Sequence, residues 1–185
     1  EAGLRTYHKY APYPEEMNRR LTGCLADLHF APTQTAKEAL LREGVNPERI
    51  TVTGNTVIDA LRWAIKQDFH FNNPVLNDLD YQRRKVILVT AHRRENLGEP
   101  LSDIFRAIKE ISFRNEAVEV IFPLHPNPKV RELAQEVFGN LERIHLIEPL
   151  DYGSFVNLMK RCYLVLTDSG GIQEEAPALG KPVLV

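Results

Sequence analysis

From residue 85 onward the sequence alternates regularly between short apolar runs and amphipathic segments. Residues 85–90 and 118–122 are apolar and rich in β-branched side chains, which is typical of strands buried on both faces. Between them Ile104, Ile108 and Ile111 recur at the spacing of one helical face. Strands that alternate with helices through short loops are parallel and joined by right-handed crossovers. The pattern therefore predicts an α/β fold built on a doubly wound parallel sheet.

The other periodic segments extend this prediction in both directions along the chain. Further strands are expected over residues 144–147, 163–166 and 183–185, and further helices over residues 130–137, 155–159 and 170–179. Nearer the start, the sequence predicts strands over residues 28–31 and 50–52 and helices over residues 35–42 and 56–66. This earlier part is expected to belong to another α/β unit.

Residues 67–84 lie between the two α/β segments. They are rich in Asn and Asp and show no periodicity, which favours a linker. We therefore predict that residues 1–66 form the C-terminal part of a first domain and residues 85–185 form most of a second. Because the chain has no initiating Met and ends on the apolar run 182–185, we expect it to be part of a longer protein.

The composition excludes several classes of partner. Lys and Arg total 23 against 25 Asp and Glu, so no strong basic field is available for nucleic acid. No apolar run approaches the roughly 20 residues that span a bilayer, so no membrane association is expected. Cys24 and Cys162 are far apart and belong to no Cys/His cluster, which argues against a bound metal or a disulfide scaffold. We predict a cytoplasmic protein with neither metal nor cofactor.

The sharpest local motif, residues 167–175, directly follows a predicted buried strand and begins a helix. Ligands of parallel sheets lie beyond the carboxyl ends of strands, where the N–H groups of a helix start bind anions. Gly170 and Gly171 have no Cβ, so the backbone can approach a phosphate closely. Ser169 can cap the helix or donate to a phosphate, and Glu175 can accept from ribose hydroxyls. A plain Ser cap with a tight Gly turn explains the motif equally well on local evidence.

A second motif, His92-Arg93-Arg94, follows the predicted strand 85–90. Imidazolium and guanidinium groups at a strand exit suit a dianionic ligand such as a diphosphate. The alternative is a solvated charged loop. Because the motif lies at the edge of the sheet where ligands bind, the ligand-binding interpretation is favoured over the solvated loop.

A third motif, His125-Pro126-Asn127-Pro128, follows the strand 118–122. The two prolines fix the turn and hold His125 in place. A rigid turn with a hydrogen-bonded His is an equally good interpretation. Because the carboxyl ends of parallel strands share one edge, all three motifs are expected to lie close together.

In the N-terminal part, Glu1 and the run Pro14–Arg20 supply carboxylates beside arginines. Such pairs can hold acid/base groups with tuned pKa values. Glu15 and Arg19 are also spaced as an ordinary helical ion pair, and local evidence favours that interpretation.

Taken together, these segments resemble the non-hydrolysing bacterial UDP-N-acetylglucosamine 2-epimerase family. The matching segments are residues 1–6, 14–19, 52–59, 90–96, 125–128 and 168–182, in family order across the whole chain. The resemblance implies two Rossmann-like domains in the glycosyltransferase-B arrangement, with the active site in the cleft between them. Family members are about twice this length, so the resemblance also implies that this chain is a fragment, inactive alone.

The resemblance also implies a reaction: inversion at C2 of UDP-N-acetylglucosamine by elimination and re-addition of UDP, giving UDP-N-acetylmannosamine for cell-surface polysaccharide precursors. It implies these roles: Glu1 and Glu15 as acid/base carboxylates, His92 at the diphosphate and leaving oxygen, Arg19 at the substrate, Ser169, Gly170 and Gly171 at the phosphates, and Glu175 at the ribose.

Finally, the resemblance implies a homodimer and a second UDP-N-acetylglucosamine that binds as an activator near Glu15, Arg93 and His125. A glycosyltransferase of the same architecture is the alternative enzyme, since it would share the phosphate loop and the ribose glutamate. It does not need the glutamates at positions 1 and 15. A nucleotide-sugar sensor without turnover is the non-enzymatic alternative.

Overall fold

The chain forms two compact units, Glu1–Ala60 and Leu61–Val185. The computed structural model describes residues 2–93, 96–139 and 141–185. The first unit contains α1 (Glu15–Leu25), β1 (His29–Ala31), α2 (Gln34–Arg42), a short 3-10 turn (Pro47–Arg49), β2 (Ile50–Val52) and the beginning of α3 (Thr56–Ala64).

The first unit is organised around a small parallel sheet. Strands β1 and β2 pair in parallel, with His29 opposite Ile50. Helix α2 packs on this sheet, and its Ala36 and Leu40 form a buried cluster with Ala31 and Ile50. The expected strand, helix, strand order in this part of the sequence is therefore confirmed.

Gly3 lies directly against the backbone at the beginning of α2. Its φ is +77°, and a Cβ at this position would lie 2.0 Å from the carbonyl oxygen of Ala36. Thr33 caps the same helix end, since its hydroxyl oxygen accepts from the Ala36 N–H at 3.1 Å. Only glycine allows the chain to pass this close to the helix.

The second unit contains a five-stranded parallel sheet in the order β5-β4-β3-β6-β7. Its elements after α3 are α4 (Pro74–Asp78), β3 (Lys85–Thr90), α5 (Glu99–Arg114), β4 (Val118–Pro123), α6 (Pro128–Phe138), β5 (Ile144–Ile147), α7 (Tyr152–Arg161), β6 (Leu164–Thr167), α8 (Gly170–Ala178) and β7 (Val183–Leu184). All neighbouring strand pairs in this sheet are parallel, so the predicted doubly wound α/β fold is confirmed.

The strand order reverses between β3 and β6. From β3 the chain proceeds outward through β4 to β5, and then crosses back so that β6 pairs with the other side of β3. Such a reversal is the topological switch point at which open α/β sheets form a crevice beyond the carboxyl ends of the strands. Thr90 and Thr167 are paired at the ends of these two strands. The segments that follow them therefore begin side by side.

Two apolar cores cover the two faces of this sheet. Side chains alternate along β3, so Leu88 packs in one core and Val89 in the other. The second core includes the mutually packed rings of Phe105, Phe122 and Phe138, with centroids 5.0 to 6.5 Å apart. The strands are buried on both faces, which explains why their sequences are almost continuously apolar.

Residues 67–84, whose composition favours a linker, pack against the second unit. Phe71 and Leu76 are fully buried in its first core. The asparagines of this segment serve the local backbone: the Asn73 side chain caps α4, and Asn77 exchanges two hydrogen bonds with the backbone of Phe71. Asn-rich composition here reflects helix capping and a tight turn around buried rings. The division between the two compact units lies earlier, at Ala60.

Candidate functional site

Asp168, the first residue after β6, joins the ends of β3 and β6. Its Oδ2 accepts hydrogen bonds from the backbone N–H of His92 at 2.9 Å and of Arg93 at 2.8 Å, and from the Asn96 side-chain amide at 3.1 Å. Its other oxygen, Oδ1, is buried and has no hydrogen-bond partner among the described residues. One carboxylate thus holds the predicted His92-Arg93 motif against the beginning of the Ser169-Gly170 motif.

A buried pair of hydroxyl groups lies directly beneath this carboxylate. The Oγ1 atoms of Thr90 and Thr167 are 2.6 Å apart, and both residues are buried. The Thr167 hydroxyl also accepts from the Ser169 N–H at 3.0 Å, while the Asp168 N–H donates to the Thr90 carbonyl. The ends of β3 and β6 are therefore connected twice, once by the Asp168 carboxylate and once by the Thr90–Thr167 hydroxyl pair.

The beginning of α8 presents backbone N–H groups next to a guanidinium. Ser169 stands at the N-cap position but its side chain makes no capping hydrogen bond. Gly170 and Gly171 are exposed, and a Cβ on Gly170 would lie 3.6 Å from an Arg93 Nη atom. Ser169 thus occupies the N-cap position that the sequence predicted but makes no capping hydrogen bond there. The helix start and Arg93 offer positive charge to the same space.

Glu175 lies further along α8 in a partly desolvated position. Burial raises the pKa of its carboxyl group, and the neighbouring Glu174 raises that pKa further. One Glu175 oxygen would be 3.5 Å from a Cβ on Gly171. Burial raises the pKa of Tyr152, at the beginning of α7, and the Glu175 carboxylate adds to that shift. Glu175 thus lies close to the glycines of the predicted phosphate loop and to a phenol.

The third predicted motif lies beside the first two. The rings of His92 and His125 are stacked, with centroids 4.9 Å apart and an interplanar angle of 21°. The His125 Nδ1 atom accepts from the Asn127 N–H at 3.1 Å, so the hydrogen-bonded turn of the alternative interpretation is also present. The topology therefore brings His92, His125, Asp168 and Gly170 to one edge of the second sheet, as the strand exits predicted.

A cavity of about 480 Å³ opens at the same edge, next to the Asp168 carboxylate. Its polar lining comes from Arg93, Asn96, Asp168 and Gln173, and its apolar lining includes Ile104 and Leu166.

In the described part of the chain, no group of three or more His, Cys, Asp or Glu side chains could hold a metal ion. The helices described there are too short or too polar to cross a bilayer.

The predicted acid/base residues belong to the first unit. Glu15 is exposed at the first position of α1, and Arg19 is half-buried one turn later. Glu1, the other predicted carboxylate, lies outside the described residues, as does Arg94 of the second motif.

The buried carboxylate of this region is Glu16, which the sequence motif did not distinguish from Glu15. Glu16 is 1% exposed, and its two oxygens accept from the N–H groups of Thr6 at 3.0 Å and Tyr7 at 3.2 Å. These hydrogen bonds, with a smaller contribution from Arg5, hold the pKa of Glu16 below its ordinary value. Glu16 therefore attaches the segment after Glu1 to the beginning of α1.

The lowered pKa of Glu16 makes the stability of the first unit dependent on pH. The stabilisation is complete above the ordinary pKa of 4.5 and is lost as the pH falls through the lower folded-state value. We expect Glu16→Gln to lower stability at pH 7 and to flatten its decline below pH 4.5, as measured by acid unfolding of the full-length protein. Glu48→Gln, at an exposed residue of the same unit, is the control. An acid transition identical in wild type and Glu16→Gln would contradict this role.

The fold and the convergence of strand exits define the chain as a doubly wound α/β protein with a polar cluster at the switch point of its sheet. The chain belongs to the UDP-N-acetylglucosamine 2-epimerase family, whose model matches residues 1–185. It is 54% identical over 185 residues to the UDP-N-acetylglucosamine 2-epimerase of Bacillus subtilis, covering 100% of this chain and 48% of that protein. The Salmonella typhimurium enzyme of the same name is 50% identical over 194 residues, again with 100% of this chain and 50% of that protein covered.

Solved structures agree with this assignment. The Staphylococcus aureus MnaA–UDP co-structure is 52% identical with a TM-score of 0.91, covering 100% of this chain and 50% of that chain. The Neisseria meningitidis UDP-GlcNAc 2-epimerase bound to UDP-GlcNAc is 47% identical with a TM-score of 0.87, covering 100% of this chain and 51% of that one. The chain thus spans about half the length of the relatives it matches, and the family resemblance seen in the motifs is confirmed.

Proposed function

We propose that this protein, at its full length, interconverts UDP-N-acetylglucosamine and UDP-N-acetylmannosamine by inverting C2 of the sugar. The observation that carries the proposal is the Asp168 junction, which brings His92, Arg93 and the start of α8 to one edge of the sheet. Family membership and the named relatives support the same reaction. The UDP named for the Staphylococcus structure and the UDP-GlcNAc named for the Neisseria structure support the ligand class.

The proposed reaction begins by breaking the bond between C1 and the UDP oxygen while the C2 proton is removed. UDP leaves as a trianion, so its developing charge needs donors that are in place beforehand. In this proposal the Arg93 guanidinium, the His92 imidazole, the Ser169 hydroxyl and the N–H groups at Gly170 and Gly171 supply them. The product is a 2-acetamidoglucal. UDP then adds back to C1 as a proton returns to the opposite face of C2.

Two carboxylates carry the proton steps in this proposal. Glu1 and Glu15 act on opposite faces of C2, one as the base and the other as the acid. Glu15 is exposed in the described structure, so in this proposal it becomes desolvated in the full-length protein with substrate bound. Arg19 contacts the substrate, and the half-buried Glu175 accepts from the ribose hydroxyls.

Regulation and cellular role are also part of the proposal. A second UDP-N-acetylglucosamine binds as an activator beside the substrate, in contact with Glu15, Arg93 and His125. The stacking of His125 on His92 supports such proximity, because it places the proposed activator residue against a proposed catalytic one. We further propose a cytoplasmic homodimer that supplies precursors for cell-surface polysaccharides.

Incubation of the full-length protein with UDP-N-acetylglucosamine in deuterated water tests the reaction. We expect deuterium at C2 of both recovered UDP-sugars, because the C2 proton exchanges with solvent during each elimination. A glycosyltransferase would leave C2 unlabelled and would release UDP only when an acceptor is added. Tight binding of the sugar nucleotide with neither labelling nor release would instead indicate a sensor.

His125→Ala tests the proposed activator site. Loss of a hydrogen bond to a charged ligand is worth about tenfold or more in affinity, so the activator concentration for half-maximal rate should rise by about that factor. UDP affinity, measured by calorimetry, should change much less. The matched control is His70→Ala, at an exposed histidine outside the cluster. An unchanged activation curve would remove His125 from the regulatory site.

A further inference from the structure

Asp168 is a carboxylate in a place where an anion is expected to bind. Free carboxylates repel phosphate, so an acidic side chain beside a helix start and a guanidinium requires an explanation. The hydrogen bonds supply one: Oδ2 is occupied by the N–H groups of His92 and Arg93 and by the Asn96 amide, and Oδ1 is buried. Oδ2 thus already accepts from three protein donors, so this oxygen serves the surrounding protein rather than the substrate.

We propose that Asp168 is a positioning residue that aligns His92 and Arg93 with the beginning of α8. This inference rests on the proposed function, since it concerns the same site. The three hydrogen bonds are 2.8 to 3.1 Å long and converge on one oxygen, and each crosses more than 70 residues of sequence. Such charge-assisted bonds are stronger than neutral ones, which favours a carboxylate over an amide at this position.

The backbone on both sides of Asp168 is already anchored. Its own N–H donates to the Thr90 carbonyl, and the Thr90–Thr167 hydroxyl pair is buried beneath it. Asp168 is therefore attached to the ends of both β3 and β6, while its side chain orders the loop that carries His92. Loosening this junction would displace the donors that face the leaving diphosphate while leaving the sheet intact.

The test uses the full-length protein with Asp168→Asn, which keeps the shape of the side chain but removes its charge. We expect kcat to fall about 10- to 100-fold, because misplacing groups that stabilise a transition state by about 1 Å has effects of that size. The Kd for UDP should change less than kcat, since the donors act most strongly on charge that develops during the reaction. Asp103→Asn, at an exposed residue of α5 in the same unit, is the matched control and should leave both unchanged.

Amide hydrogen exchange separates positioning from general stability. Exchange in ligand-free Asp168→Asn should accelerate in the peptide that contains His92 and Arg93, with the sheet strands unaffected. A uniform acceleration together with a wild-type kcat per folded molecule would show that Asp168 only stabilises the fold, and would overturn the proposal. So would an unchanged kcat with unchanged local exchange.

Asn96→Ala provides a second variant in case Asp168→Asn does not fold. It removes one of the three donors, so we expect the same changes in the same direction but smaller. Combined with Asp168→Asn, it should add little, because both substitutions disrupt one junction. Fully additive effects would overturn the proposal.

If wild type itself incorporates no deuterium at C2 of the sugar, the proposed reaction fails. The amide hydrogen exchange of the His92 peptide then still decides whether Asp168 orders this loop.

Discussion

Replacing Glu15 with Gln in the full-length protein is expected to lower kcat by about 10²- to 10⁴-fold, the usual contribution of a general acid or base. The amide has nearly the same shape as the carboxylate but can neither take nor give the C2 proton. UDP affinity should stay close to that of wild type, because the proposed phosphate donors belong to the other unit of the chain. Rates of deuterium incorporation at C2 and calorimetric titration with UDP measure the two quantities.

Glu48→Gln is the matched control for this substitution, since Glu48 is exposed in the same unit and has no proposed role. It should retain the wild-type rate. If Glu15→Gln also turns over at the wild-type rate, Glu15 is not an acid/base group, and the ion-pair interpretation with Arg19 regains its advantage. A lower rate with an equally weakened affinity for UDP would indicate a binding role instead.

Asn157→Leu is expected to cost the second unit roughly 3–5 kcal/mol of unfolding free energy, because each buried group left without a partner costs about 1–3 kcal/mol. Asn157 is 1% exposed. Its Nδ2 donates to the carbonyls of Ala64 and Gly153 at 2.9 and 2.8 Å, and its Oδ1 accepts from the Lys66 N–H at 2.9 Å. The substitution would leave the Ala64 carbonyl and the Lys66 N–H without these partners, while the Gly153 carbonyl keeps its helical hydrogen bond within α7.

Urea unfolding of the full-length protein, with hydrogen exchange at the Lys66 amide, measures this loss. The Lys66 amide should exchange about 100-fold faster, corresponding to about 3 kcal/mol of lost protection. Asn115→Leu is the control, because Asn115 is exposed and its side chain donates to the Ile111 carbonyl at the end of α5. Equal losses of unfolding free energy in the two variants would show that the buried hydrogen bonds of Asn157 stabilise the unit no more than an exposed one does.

The architecture of the second unit could be predicted from the sequence because its signals are local. The β-branched runs gave strands in the expected order, and Gly139 ends α6 with the positive φ that favours glycine. The parallel sheet then follows from the alternation itself, and with it the shared edge at which the segments after β3, β4 and β6 emerge. Over residues 67–84 the sequence shows no regular repeat, so it gave no sign of α4 or of the burial of Phe71 and Leu76.

The sequence could not tell which of two neighbouring acidic residues is buried. Glu15 and Glu16 stand next to each other in one helical turn, and their residue types carry no information about which is buried. The helix axis and the path of residues 2–7 decide that Glu16 faces the backbone of Thr6 and Tyr7 while Glu15 faces solvent. The sequence likewise did not single out Asp168 within its motif. Its importance follows from its contact with the loop after β3, which only the structure shows.

By itself, the sequence determined the class of fold, the succession of strands and helices along the chain, and the edge on which His92, His125 and Ser169 lie. Those properties depend on hydrophobic periodicity and on where each strand ends, both of which are written within a few residues. Only the tertiary structure decided that Asp168 holds the His92 loop and that Asn157 binds the end of α3. Those contacts join residues more than 70 apart in the sequence, so they exist only once the packed sheet has brought the segments together.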